Sequence, residues 1–247
     1  MGRVAVVTGG SRGIGAATAR RLAAQGFSVC LSYVSAAGAA KEVVTACQAA
    51  GAEALAVPAD VADPEAVAAL FQAADGLGRL AALVNNAGIA DRQARVDEMP
   101  PGRITRMAAV NIVGPFLCAG EAVRRMSSRH GGAGGAIVNV SSAAARLGGP
   151  GEWVDYAATK GAIDTMTLGL AREVAAEGVR VNAVRPGLID TDIHAANGQP
   201  DRVERMAGGI PMQRAGTAEE VANAIAWLCS DAASYVTGAI VDVAGGR

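Results

Sequence analysis

Aromatic side chains are scarce in this chain: three tyrosines, three phenylalanines and two tryptophans make up 3% of 247 residues. That argues against an aromatic-rich recognition surface, while the excess of Ala, Val and Gly suits helices packed tightly on a sheet. Histidine is scarcer still. His130 and His194 are too few and too isolated for a zinc site built on imidazole or thiolate. The four cysteines, at 30, 47, 118 and 229, form no CxxC pair, and three sit in apolar or helical stretches where a reduced thiol acts as a small hydrophobe. A reducing, cytoplasmic compartment is expected. A net charge of −1 implies no nucleic-acid partner. No apolar run approaches the roughly 18–20 residues needed to span a bilayer, so no membrane partner is expected either. The opening "MGRVAVVTGG" lacks the apolar core and cleavage site of a signal peptide, and Val6 stands where a myristoylation motif wants Ser or Thr.

What is present alternates. Short β-branched runs at 3–8, 27–33, 52–59, 80–86, 135–142, 179–186 and 239–245 read as strands. Helical periods lie between them at 13–25, 36–50, 64–76, 101–130, 155–178 and 217–230. Strand runs with little polar alternation, separated by helices, predict a doubly wound parallel sheet of about seven strands covered on both faces, a Rossmann-type three-layer α/β/α fold. No linker divides the chain, so a single domain over 1–247 is expected, with 188–215 as its least regular stretch and its substrate-loop segment.

Lysine is also rare: there are two against 20 arginines, and one of them is Lys160, four positions after Tyr156 in "YAATK". On a helix that spacing puts both side chains on one face, one turn apart. A phenol titrates near 10, too high for ready proton exchange at neutral pH, and a neighbouring ammonium is expected to lower it. Lysine suits that place as a compact, multi-donor point charge, which arginine's planar fork is not.

"TGGSRGIG" (8–15) follows the first strand and opens the first helix. Gly9 permits a tight turn, Gly13 lets the backbone approach a pyrophosphate, and Gly15 allows close packing. The helix N-terminus offers N–H groups and a positive dipole end to phosphate. The second strand ends "LSYV", with Tyr33 where a carboxylate would accept the ribose 2′-hydroxyl of NAD. Arg12 is a guanidinium suited to clamp a 2′-phosphate, with Ser32 and Ser35 as further donors, so NADP is expected over NAD.

"TGGSRGIG", "NNAG" (85–88), Asn111, "VNVSS" (138–142), "YAATK" and "RPG" (185–187) occur in the order seen in short-chain dehydrogenases/reductases, and the resemblance covers nearly the whole chain. It implies a nicotinamide cofactor, a small-molecule carbonyl/alcohol substrate and a homo-oligomer, very often a tetramer. By resemblance, Gly9, Ser11, Arg12, Gly13, Ile14 and Gly15 hold the pyrophosphate, and Tyr33 and Ser35 flank the ribose. Asp60 and Val61 match the adenine-contacting turn, although Asp60 is equally a candidate to cap the helix starting near Pro64. Asn86, Ala87 and Gly88 line the cofactor cleft, and Pro186, Gly187, Ile189 and Thr191 close over the carboxamide.

Ser142 resembles the serine that polarises the carbonyl, Tyr156 the general acid of reduction and base of oxidation, and Asn111 the asparagine that holds a relay water, with Lys160 next in the relay. Ser142 lies one residue further from Tyr156 than the family's serine does, and "ARLGGPGEW" (145–153) has the glycines to absorb the difference. Ser141 is the competitor. Trp153 and His194 are candidate pocket-lining residues. Arg124, Arg125, Arg129 and Arg172 are either a docking patch for an acyl carrier protein or solvated helix faces. Substrate candidates are 3-oxoacyl thioesters, sugars or polyols, and small ketones. A cofactor-sensing protein that keeps the nucleotide site without turnover is the alternative.

Overall fold

Seven strands form one parallel sheet in the order β3-β2-β1-β4-β5-β6-β7. The computed structural model describes residues 2–191 and 198–247. The strands are β1 Arg3–Val7, β2 Phe27–Tyr33, β3 Ala54–Pro58, β4 Arg79–Asn85, β5 Gly135–Val140, β6 Val179–Pro186 and β7 Ile240–Val243. The central strands are rich in Val, Ala and Leu and are buried on both faces, as a sheet covered by helices on each side requires.

The long helices are α1 Gly13–Ala23, α2 Ala37–Ala49, α3 Pro64–Asp75, α4 Pro101–Ala108, α5 Gly114–Met126, α7 Val154–Val174 and α9 Ala218–Cys229, with short α6 Ala144–Leu147 and α8 Arg202–Ala207. Leu22 of α1, Val43 of α2 and Ile225 of α9 pack on one face of the sheet. Leu70 of α3, Cys118 of α5 and Ile163 of α7 pack on the other. Among the described residues no helix is long and apolar enough to cross a membrane.

The predicted helix over 101–130 is interrupted. Residues Ala109–Val113 form a widened π turn between α4 and α5, and Asn111 sits at its centre. Pro115 has no N–H to return to the Asn111 carbonyl, so the α-helical register fails there and the turn widens. Asp63, not Asp60, caps α3: its Oδ1 accepts from Glu65 N at 2.9 Å, with Pro64 beginning the helix. The strand order reverses between β1 and β4, where a crevice opens at the carboxyl ends of the strands.

Candidate active site

The glycine loop leaves β1 at that crevice and is stitched to the end of β4. Thr8 Oγ1 accepts from Asn86 N and Ala87 N, each at 3.0 Å, and donates to Val84 O at 3.3 Å. Asn86 Nδ2 returns bonds to Thr8 O at 2.9 Å and Gly9 O at 3.0 Å. At Gly15 a Cβ would lie 2.3 Å from Gly9 O and 2.5 Å from Asn86 Nδ2, so only glycine fits where the helix turns back on the loop. Gly9 and Gly13 adopt φ of +62° and +52°.

The first turn of α1 carries no acidic residue, and Arg12 makes no capping bond with its side chain. The leading N–H groups of the helix therefore face the crevice without a competing carboxylate. Ser11 and Ile14 are half-buried beside them and Arg12 is exposed. Space is left where a dinucleotide would lie. A Cβ at Gly13 would come only to 3.4 Å from Thr191 Cγ2, and one at Gly88 would stand 3.6 Å from Lys160 Nζ. Backbone donors, absent side chains and missing carboxylates fit a phosphate-bearing nucleotide.

At the end of β2 the residues differ in use. Tyr33 is half-buried, and Val34 and Ser35 are exposed with no acid among them. Ser32 departs from expectation. It is buried under the loop, where its Oγ accepts from Gly9 N at 3.0 Å, so it braces the turn and is not displayed to a phosphate. Asp60 accepts from Ala62 N at 3.0 Å and pairs with Arg106 at 2.7 Å. Burial opposes its ionisation, but those two donors outweigh it and hold the carboxyl below its ordinary range. Val61 is buried against Gly114, where a Cβ would stand 2.6 Å from Val61 Cγ2.

Tyr156 and Lys160 lie on the first turns of α7. Lys160 is 5% exposed and donates to Val140 O at 2.7 Å; its Nζ stands 5.5 Å from the Tyr156 ring centroid. Ser142, two residues past β5, lies close enough to Tyr156 to act against the rise of its pKa, and accepts from Ala144 N at 3.1 Å. Ser141 is buried the other way and donates to the Lys160 carbonyl at 3.2 Å. Between Ser142 and Tyr156, the one-residue excess is taken up by α6 and by Gly148, Gly149 and Gly151, all at positive φ.

The expected lowering of the Tyr156 pKa does not appear in the protein alone. Burial raises it, and the nearby Ser142 hydroxyl offsets only part of that rise. The same burial acts on Lys160, whose pKa falls to about 8, with Asp164 opposing the fall. The Asn111 side chain is engaged as well. Its amide is spent on protein, accepting from Ile89 N at 2.8 Å and donating to Ile89 O at 2.8 Å and Thr159 Oγ1 at 3.2 Å. It braces the strand-four loop against α7.

Beyond β6, Ala143 N donates to Pro186 O at 2.9 Å, and Gly187 meets Ala244 so closely that a Cβ would lie 2.8 Å from its Cα. Ile189 is buried and bridges to Gly216, and Thr191 is half-buried against the glycine loop. His194 lies outside the described residues. Trp153 donates from Nε1 to Asp91 O at 2.5 Å and carries the Arg202 guanidinium over its ring at 4.4 Å, so it joins α7 to α8. Of the four arginines considered for docking, Arg124 pairs with Glu121, and Arg125 with Glu121 and Asp75. Arg129 and Arg172 remain exposed.

Sequence reasoning missed Thr8, Thr159, and the Arg103–Asp155 pair. Arg103 of α4 grips Asp155, the residue before Tyr156, with Nε–Oδ2 of 2.7 Å and Nη2–Oδ1 of 3.2 Å, and their side chains are 7% and 4% exposed. A charge at the first turn of α7 was visible, but its partner lies 52 residues away in the chain.

A family model described as enoyl-(acyl carrier protein) reductase, adh_short_C2, matches residues 9–247. An uncharacterized oxidoreductase of Escherichia coli is 56% identical over 99% of both chains. A cis-4-hydroxycyclohexanecarboxylate dehydrogenase of Sinomonas cyclohexanicum is 45% identical over 99% of this chain and 96% of its own. A short-chain dehydrogenase of Burkholderia cenocepacia, solved in complex with NADP, superposes with a TM-score of 0.90 at 35% identity, over 99% of this chain and 97% of that one. With the motifs in order along the chain and the crevice at the strand reversal, the chain belongs to the short-chain dehydrogenase/reductase family and is an NAD(P)-dependent oxidoreductase that interconverts a carbonyl and a secondary alcohol.

Proposed function

We propose that the chain uses NADP(H) in preference to NAD(H) and works on a small-molecule carbonyl and its alcohol, with Tyr156 as the proton-transferring group. The observation that carries this reading is the meeting of Ser142, Tyr156 and Lys160 in one crevice beside Gly88. Gly9, Gly13 and the N-terminus of α1 would hold the pyrophosphate, Arg12 the 2′-phosphate, and Ile189 with Thr191 the carboxamide end. A bound nicotinamide supplies the hydride, or accepts it in the reverse direction. Ser142 donates a hydrogen bond to the substrate oxygen as negative charge grows there, and the Tyr156 hydroxyl delivers the proton. Lys160 stabilises the phenolate that Tyr156 leaves behind.

The exposed Arg12 and the lack of an acid after β2 support NADP. The chain is read as a single domain whose 188–215 segment bounds the substrate. It is read as a cytoplasmic homo-oligomer, on the four reduced, buried cysteines, the open edge of β7 and exposed Tyr235.

The test is turnover of NADPH and NADH over 3-oxoacyl thioesters, sugars, small ketones and a carboxylated cyclohexanone, the last because of the Sinomonas relative. Tyr156→Phe serves as the blank, with turnover expected to fall about 10²–10⁴-fold and cofactor affinity to hold within about threefold. Tight nucleotide binding with no turnover across the panel would favour the sensor.

A further inference from the structure

A buried run of charge extends behind the lysine. Asp164, one helical turn beyond Lys160, is 8% exposed. Its Oδ2 takes both Arg185 Nε at 2.9 Å and Arg185 Nη2 at 2.7 Å, while its Oδ1 is buried with no hydrogen-bond partner among the described residues. Arg185, on β6, also lies 3.8 Å from Asp242, which pairs with Arg146 at 3.3 Å. A buried pair left half-satisfied is a poor source of stability; well-packed apolar residues would do as well or better. The arrangement gains a purpose from its neighbour. Lys160 is itself buried and, among the described residues, donates to one acceptor, the Val140 carbonyl. Helical side chains lean toward the N-terminus, so the Asp164 carboxylate leans back over the turn that carries Lys160.

We propose that Asp164 is a positioning residue for Lys160, its buried carboxylate holding the lysine in its charged form beneath Tyr156. The inference rests on the reading of Lys160 as the partner of Tyr156. Burial alone drives the lysine toward neutrality, and Asp164 acts against that drive. Other charged groups on the elements packed against α7 are already engaged. Arg103 of α4 is held by Asp155, Arg146 of α6 by Asp242, and Arg185 of β6 is shared between Asp164 and Asp242. Neither β5 nor the 109–113 turn carries a charged side chain.

The composition makes a direct test available, because the chain has only two lysines, Lys41 and Lys160. A protein labelled with ¹³C-lysine gives two side-chain signals, assigned with Lys41→Arg, and the Lys160 signal is titrated in the ligand-free protein. Asp164→Asn keeps the shape and the bond to Arg185, and is expected to move the Lys160 midpoint down by about one pH unit, tenfold in proton affinity. Arg185→Gln, which removes the competing cation, is expected to move it up. A pair that serves only the packing of α7 on β6 would leave both midpoints in place or shift them in the same direction, and either result overturns the proposal. Should Asp164→Asn fail to fold, Asp164→Ser, which also removes the carboxylate, carries the test, and a Lys160 midpoint that does not fall overturns the proposal. The titration needs no turnover, so its failure is separate from a failure of the substrate panel.

Discussion

The two walls of the crevice are built from different materials. The nucleotide wall is held by neutral bonds among Thr8, Gly9, Ser32 and Asn86, and its exposed arginine makes no ion pair among the described residues. The α7 wall is held by ions: the buried pairs Arg103 with Asp155 and Asp164 with Arg185, and Arg202, which lies over Trp153 and against the more exposed Glu152. The difference follows from what each wall must do. A wall that receives a polyanion must keep its donors free and its carboxylates away. A wall that places a hydroxyl to within a fraction of an ångström needs its helix end fixed in direction as well as depth, which a bidentate pair provides.

Breaking the ionic wall should have the largest effect. Arg103→Met leaves the Asp155 carboxylate buried and alone, with an expected loss of about 3–5 kcal/mol, a melting temperature lower by about 10 °C and reduced turnover. Adding Asp155→Leu should return most of the stability in a thermal melt, because the orphaned charge is gone. A double variant no more stable than Arg103→Met would mean that the two walls do not differ in this way.

On the neutral wall, Gly15→Ala forces a methyl to within 2.3 Å of Gly9 O. Cofactor affinity, read by fluorescence titration, should fall at least about 100-fold, with a smaller change in turnover at saturation. Arg12→Ala should weaken NADP(H) about 10–100-fold and leave NAD(H) within about threefold, the loss of one charge-assisted contact. Equal losses for both cofactors would remove Arg12 from the 2′-phosphate. The smallest effect is expected outside both walls. Arg129→Ala with Arg172→Ala should leave stability within about 0.5 kcal/mol and small-ketone turnover within about twofold.

The neutral wall was the more legible in sequence. Glycine spacing, strand ends and the residue order of "NNAG" are local signals, and the seven strands fell where β-branched runs placed them. Its one misreading, Ser32, came from taking a strand end as exposed when the loop folds back over it. The ionic wall was mostly hidden. Arg103 and Asp155 read as separate surface charges until α4 and α7 are brought together, since nothing in either segment names the other. The widened turn at Asn111 was legible after all: Pro115, four residues on, cannot complete the helical bond, and the continuous hydrophobic period masked it. The acidity of Tyr156 depends on how much water reaches it, a property of the assembled crevice and of no segment alone.

All four sulfurs lie beneath the surface, and burial pushes the Cys30, Cys118 and Cys229 thiols up to about 12 and raises that of Cys47. At neutral pH the intact molecule thus offers alkylating reagents almost no nucleophile. Any maleimide that becomes attached marks a copy that opened, and the rate of attachment turns the chain's own cysteines into a clock for how often it breathes.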